Sequence, residues 1–178
     1  GESAFENEYI KRMVIFLEQR YPGKGKELVK AVGYGGEMMK HSDGSRTNYD
    51  VFWESFEKAS GYTREEIEPV ITVYYQTDYT HIGDDYVPDQ DMQNAVRLLQ
   101  EKGYELIVAT TPVVPLIANQ ERVRWSGLAD IPWKDITSFE TYNYSKPNLN
   151  YYQQICDKYN LNPAECMMIG DSLVKDFS

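Results

Sequence analysis

The sequence predicts an α/β protein whose second half forms a parallel sheet flanked by helices and whose first half is entirely helical. Apolar residues recur at helical spacing as far as residue 85. From residue 86 onward, helical patterns alternate with short apolar runs that predict buried strands. Such alternation is typical of a parallel sheet with right-handed crossovers. We therefore divide the chain into a helical part, residues 1–85, and an α/β part, residues 86–178.

Helical periodicity and capping patterns predict four helices in the first part. Apolar residues over 5–17 form the first helix, and a second begins near Leu28. The pattern that opens at Thr47 is typical of a helix start. Thr63 also precedes a capping pattern, but Pro69 leaves open that the fourth helix begins at the proline instead.

The second part is predicted to contain both strands and helices. Asp89 caps a helix, and the apolar run 104–109 is the first buried strand. Residues 139–142 are expected to form a short strand, and Pro147 to begin another helix. Residues 166–169 are expected to form a second buried strand.

Polar side chains follow both buried strands. Thr110 comes directly after the first strand, and Gly170-Asp171 comes after the second. Ligands of open α/β sheets bind beyond the carboxyl ends of the strands. The sequence therefore predicts that Thr110 and Asp171 lie near one ligand site.

Three short patterns carry candidate chemistry. The first, 106–112, is an apolar strand that ends in a hydroxyl; the second, 145–147, places Lys146 before a proline; the third, 167–176, is a strand followed by two aspartates five residues apart. In this order the three patterns resemble the second, third and fourth motifs of the haloacid dehalogenase superfamily. The resemblance covers residues 86–178 by motif.

This resemblance implies a role for four side chains. Thr110 would hydrogen-bond the transferring phosphoryl oxygens, and Lys146 would neutralise negative charge at the nucleophile and the phosphoryl group. Asp171 and Asp176 would hold Mg²⁺, which prefers a few carboxylates together with water and phosphate oxygens. The implied fold is a Rossmann-like parallel sheet core, incomplete in this chain, with residues 1–85 as the all-helical cap insert.

The function implied is that of a Mg²⁺-dependent phosphohydrolase acting on a small phosphorylated metabolite through an aspartyl-phosphate. Two alternatives remain open. The chain could be a non-catalytic relative that binds a ligand or a partner. It could also be a dehalogenase on the same scaffold, which the two aspartates argue against because dehalogenases do not depend on Mg²⁺.

One motif of the family does not occur in residues 1–178. The family's first motif is an apolar strand followed by Asp-x-Asp-x-Thr, whose first aspartate attacks phosphorus. Residues 89–91 have the right carboxylate spacing, but Val87-Pro88 precedes them and no threonine follows, so they are better interpreted as a helix start. We expect the motif to lie upstream of residue 1, on a strand between the two that end at Thr110 and Asp171, and the chain to be a fragment.

Composition narrows the possible partners. The formal net charge of −10 argues against nucleic acid as a partner, because a phosphate backbone requires a basic surface. No apolar run approaches membrane-spanning length, so no membrane partner is expected. Two cysteines ten residues apart, Cys156 and Cys166, fit neither a zinc site nor a disulfide framework, which favours the reducing cytoplasm. The sequence does not indicate the oligomeric state.

Overall fold

The computed structural model of the protein describes residues 2–176, apart from the side chains of Glu2, Ser3 and Lys175. Over this range the protein is mostly helical, with a small parallel sheet in its second half. The helices of the first half are α1 (Glu2–Arg20), α2 (Gly25–Lys40), α3 (Asn48–Ser60) and α4 (Arg64–Gln76), followed by a 3-10 helix (Asp78–Gly83). Within residues 2–176, no helix combines the length and the apolar character needed to cross a membrane.

Local capping fixes where two of these helices begin. The hydroxyl of Thr47 accepts a hydrogen bond from the backbone nitrogen of Asp50 and starts α3, as predicted. Thr63 and Glu66 form a capping box, so α4 starts at Arg64 and contains Pro69. The alternative start at the proline is therefore wrong.

The second helix, α2, is longer than its apolar pattern indicates. It begins at Gly25, before Leu28, and continues through its glycines. A Cβ atom on Gly35 would lie 2.7 Å from Cδ2 of Phe52, so a glycine is needed where α2 crosses α3. This close approach explains a glycine that helical propensity alone disfavours.

A single buried cluster joins the helices of the first half to the second half. It consists mainly of aromatic and aliphatic side chains from α1 to α4 and also includes Ala118 and Phe139. Tyr74 is fully buried, and its hydroxyl donates to the carbonyl of Tyr9 across the cluster. The helical half therefore packs directly against segments of the second half.

The second half contains the sheet. Its elements are α5 (Gln90–Glu101), β1 (Ile107–Val108), α6 (Leu116–Trp125), β2 (Asp135–Ile136), α7 (Leu149–Tyr159), a 3-10 helix (Pro163–Glu165) and α8 (Leu173–Asp176). Strands β1 and β2 are parallel, with Ile107 opposite Asp135 and Val108 opposite Ile136. The first predicted strand is therefore confirmed, but it is shorter than 104–109 and only half-buried.

The short strand predicted at 139–142 is wrong, since β2 lies earlier, at Asp135–Ile136. The backbone of 139–142 serves another purpose. The carbonyl of Phe139 accepts from the nitrogen of Tyr49, and the carbonyl of Tyr142 accepts from the nitrogen of Asn48. The segment therefore satisfies the N-terminus of α3, whose first nitrogens have no partner within the helix.

The second buried strand, predicted at 166–169, is also wrong. The segment forms no strand, and Met167 and Ile169 are 78% and 68% exposed. A strand requires a neighbour for its backbone groups. In the described part of the chain the sheet holds only β1 and β2, which pair with each other, and no strand lies beside 166–169. Likewise, the helix expected from Pro147 begins at Leu149.

Candidate functional site

One large cleft lies between the two halves of the protein. Its volume is ≈ 1880 Å³, and the four side chains predicted to form the site, Thr110, Lys146, Asp171 and Asp176, all line it. The helical half contributes the facing wall. The sequence-predicted residues thus share one cleft, although Asp171 does not follow a paired strand.

Lys146 and Asp176 form a buried ion pair in this cleft. Lys146 Nζ lies 2.6 Å from Asp176 Oδ1, and their side chains are only 8% and 6% exposed. Asp176 Oδ2 accepts from the backbone nitrogen of Ser172 at 3.1 Å. A Cβ atom on Gly170 would lie 2.3 Å from the same oxygen, so a larger residue there would displace the Asp176 carboxylate. The Asp176 carboxylate therefore closes the 170–176 turn onto Lys146.

Thr110 is held at the end of β1 by its neighbours. Its backbone nitrogen donates to Thr137 Oγ1 at 3.0 Å, and its own hydroxyl donates to the carbonyl of Thr137 at 3.2 Å. Asn119 Nδ2, from α6, donates to Thr110 Oγ1 at 3.3 Å and to the carbonyl of Thr137 at 2.8 Å. The threonine hydroxyl thus lies at the edge of a polar network and faces the cleft.

Three fully buried polar side chains form hydrogen bonds to Thr110. Thr137, Asn119 and Tyr151 are each at most 1% exposed. Tyr151 lies on α7, and its hydroxyl donates to the carbonyl of Thr110 at 2.7 Å. Burial raises the pKa of Tyr151, so this hydroxyl keeps its proton. These residues carry no motif in the sequence, and the polar Asn119 among the apolar residues of α6 is the one local signal.

Asn48 connects two of the predicted motifs. It is the first residue of α3 and is fully buried. Its Nδ2 donates to the carbonyl of Pro112 at 2.9 Å and to Ser145 Oγ at 3.1 Å. One side chain of the helical half therefore ties the loop after Thr110 to the residue that precedes Lys146. No signal in the sequence indicated this role.

The carboxylates of the cleft fit the donor chemistry of Mg²⁺. This ion is often held by one or two carboxylates, with water and substrate phosphate completing its shell. Asp171 is exposed to the cleft, whereas the oxygens of Asp176 also contact Lys146 and Ser172. Among the described residues, no group of three or more histidine, cysteine, aspartate and glutamate side chains forms a metal site.

Aromatic side chains form much of the wall contributed by the helical half. They include Phe5, Tyr9, Tyr49, Trp53 and Tyr75. The hydroxyl of Tyr49 donates to Glu68 Oε1 at 2.7 Å, and partial burial together with this carboxylate raises the pKa of Tyr49 to about 12. These rings stay neutral and present largely apolar surface to the cleft.

Comparison with known proteins identifies one family. A family model described as haloacid dehalogenase-like hydrolase matches residues 6–178. No curated protein and no solved structure gave a significant match.

Proposed function

Because the chain belongs to the haloacid dehalogenase-like hydrolase family, we propose that its cleft is the phosphoryl site of a Mg²⁺-dependent phosphohydrolase acting on a small phosphorylated metabolite. The observation that carries this proposal is the shared cleft: a hydroxyl, a lysine and two aspartates from three separate segments line it. Phosphoryl transfer depends mainly on positioning and on charge stabilisation, which these groups can supply.

Lys146 is proposed to bind the transferring phosphoryl group. Its ammonium is nearly buried and is oriented by Asp176 at 2.6 Å. In a site partly shielded from water, a fixed cation stabilises developing negative charge more strongly than it would in solvent. Mg²⁺, held through Asp171 and Asp176, would add further neutralisation of phosphate charge.

Thr110 is proposed to orient a phosphoryl oxygen. Its hydroxyl has one proton, which is directed to the Thr137 carbonyl over 3.2 Å, a long distance for an O–H donor. The same carbonyl keeps its shorter bond from Asn119 at 2.8 Å. If the Thr110 hydroxyl donated to a phosphoryl oxygen instead, the Thr137 carbonyl would still accept from Asn119. Every buried acceptor would therefore keep a donor.

The nucleophile of the proposed reaction is not among residues 1–178, which contain no Asp-x-Asp-x-Thr after an apolar strand. We propose that an additional strand carries it and lies between β1 and residues 166–170. Two observations support this place. The sheet leaves one edge of β1 without a strand partner in the described part of the chain, and the apolar side chains of Met167 and Ile169 are exposed.

Sequencing the reading frame upstream of Gly1 tests the nucleophile directly. An apolar strand followed by Asp-x-Asp-x-Thr supports the hydrolase. Upstream sequence without those aspartates would instead favour a non-catalytic relative that binds a ligand or a partner, which is the alternative that the missing motif supports.

Enzyme assays distinguish the remaining chemistry. We expect the protein carrying that motif to release phosphate from a phosphorylated metabolite in MgCl₂ and to stop when EDTA is added. Turnover of haloacids that is unaffected by EDTA would identify a dehalogenase and would contradict the phosphohydrolase.

A further inference from the structure

Three cationic side chains line the cleft in the part of the chain that the structure describes, and two of them have carboxylate partners. Lys40 Nζ lies 2.8 Å from Glu37, and Lys146 Nζ lies 2.6 Å from Asp176. Arg122 differs, because its guanidinium makes neither an ion pair nor a hydrogen bond to any described residue.

Arg122 is close to the proposed phosphoryl site along α6. It follows Asn119, whose amide contacts the Thr110 hydroxyl at 3.3 Å, by three residues. Residues three apart share one face of a helix and are separated by about 4.5 Å along its axis. Arg122 therefore lies about one turn of α6 away from the side chain that contacts Thr110.

Arg122 is exposed, and one aromatic ring lies beside its guanidinium. Its Cζ lies 5.5 Å from the ring centroid of Phe5 on α1, within the range of a cation–π contact. The Phe5 ring in turn packs edge-on against Trp125 at 6.2 Å and Tyr79 at 6.4 Å. A contact to a ring leaves the planar N–H groups available, and such a fork of donors matches a carboxylate.

We infer that Arg122 is a second anion-binding subsite of the cleft and that the substrate carries a carboxylate in addition to its phosphoryl group. The phosphoryl group would occupy the end with Thr110 and Lys146. The carboxylate would accept from Arg122, beside the aromatic wall of Phe5. This inference rests on the proposed function, because it requires the phosphoryl group at the other end.

A series of non-hydrolysable ligands tests the subsite by binding alone. The series runs from phosphonoacetate to 6-phosphonohexanoate, and each member is compared with the alkylphosphonate of equal length by calorimetry in MgCl₂. We expect one chain length at which the carboxylate tightens binding to the protein about tenfold, the effect of one charge-assisted contact. In Arg122→Gln, the ratio of the two dissociation constants should fall to about one.

Arg124→Gln is the matched control. Arg124 lies on the same helix, pairs with Glu121 at 2.8 Å and does not line the cleft, so this variant should keep the carboxylate preference. Equal binding of both ligands at every length, or a preference that persists in Arg122→Gln, overturns the subsite while the phosphoryl site stands. If no phosphonate binds, the proposed function and the subsite are overturned together.

Discussion

Lys146 Nζ lies 2.6 Å from Asp176 Oδ1, and both side chains are almost completely withdrawn from water. The pair links the turn at 170–176 to the segment before α7. Removal of one member of a buried ion pair is costly because the other charge remains desolvated. The leucine and valine of α8, Leu173 and Val174, are exposed, so this turn has little apolar packing to hold it once the pair is lost.

For Lys146→Met we therefore expect local opening of 170–176 with the remaining fold intact. In the protein that carries the nucleophile motif, turnover should fall by about a hundredfold or more. Hydrogen exchange should show faster exchange of the Ser172 amide, which now donates to Asp176. Lys134→Met is the control, because Lys134 pairs with the exposed Glu105 away from the cleft. Unchanged exchange and unchanged turnover in Lys146→Met would contradict the role assigned to the pair.

Asp171→Asn should weaken Mg²⁺ binding about tenfold or more, because a carboxylate is replaced by a neutral amide. In the protein that carries the nucleophile motif, turnover should fall at subsaturating Mg²⁺. Calorimetric titration with MgCl₂ measures the change directly. Asp91→Asn, an exposed aspartate of α5 outside the cleft, should bind Mg²⁺ like the parent protein. If the two variants bound Mg²⁺ with equal affinity, Asp171 would not be a Mg²⁺ ligand.

Asn48→Ala should lower the free energy of unfolding by about 2–3 kcal/mol, since it deletes two buried hydrogen bonds and leaves the carbonyl of Pro112 without this donor. Urea denaturation measures the effect. Asn94→Ala, at an exposed site on α5, should change stability by less than about 0.5 kcal/mol. If Asn48→Ala lost no more stability than Asn94→Ala, the hydrogen bonds of Asn48 to Pro112 and Ser145 would not stabilise the fold.

Burial raises the pKa of Tyr9 from 10.0 to about 12, although the hydroxyl of Tyr75, at 2.8 Å, partly opposes the shift. Because the folded pKa is the higher one, the associated stability is fully present below pH 10.0 and is lost as the pH rises towards about 12. We expect the unfolding free energy to fall across this window, and to fall less steeply in Tyr9→Phe. An identical slope in both proteins would contradict the assignment.

Sequence alone predicted the helices well because their signals are local. Thr47, Thr63 and Asp89 each start a helix, as their capping patterns indicate. Strands were less predictable, because a strand depends on a neighbour that sequence periodicity does not reveal. Within the apolar run 104–109, β1 pairs with β2. In the described part of the chain, the similar run at 166–169 pairs with no strand.

In the candidate site, too, residues with a local sequence signal were predicted and a residue with distant partners was not. Thr110, Lys146, Asp171 and Asp176 were predicted from short motifs, and all four line one cleft. Asn48 was not identified, because its partners lie 64 and 97 residues away along the chain. Contacts of that separation follow from packing of the helical half and carry no local pattern.

The most direct test of the account is binding of inorganic phosphate to the protein, measured by calorimetry in MgCl₂ and in EDTA, with Lys146→Met in parallel. We expect phosphate to bind in MgCl₂, and either EDTA or loss of the lysine to weaken binding about tenfold or more. No phosphate binding in MgCl₂, or binding that depends on neither Mg²⁺ nor Lys146, would contradict a phosphoryl site in this cleft.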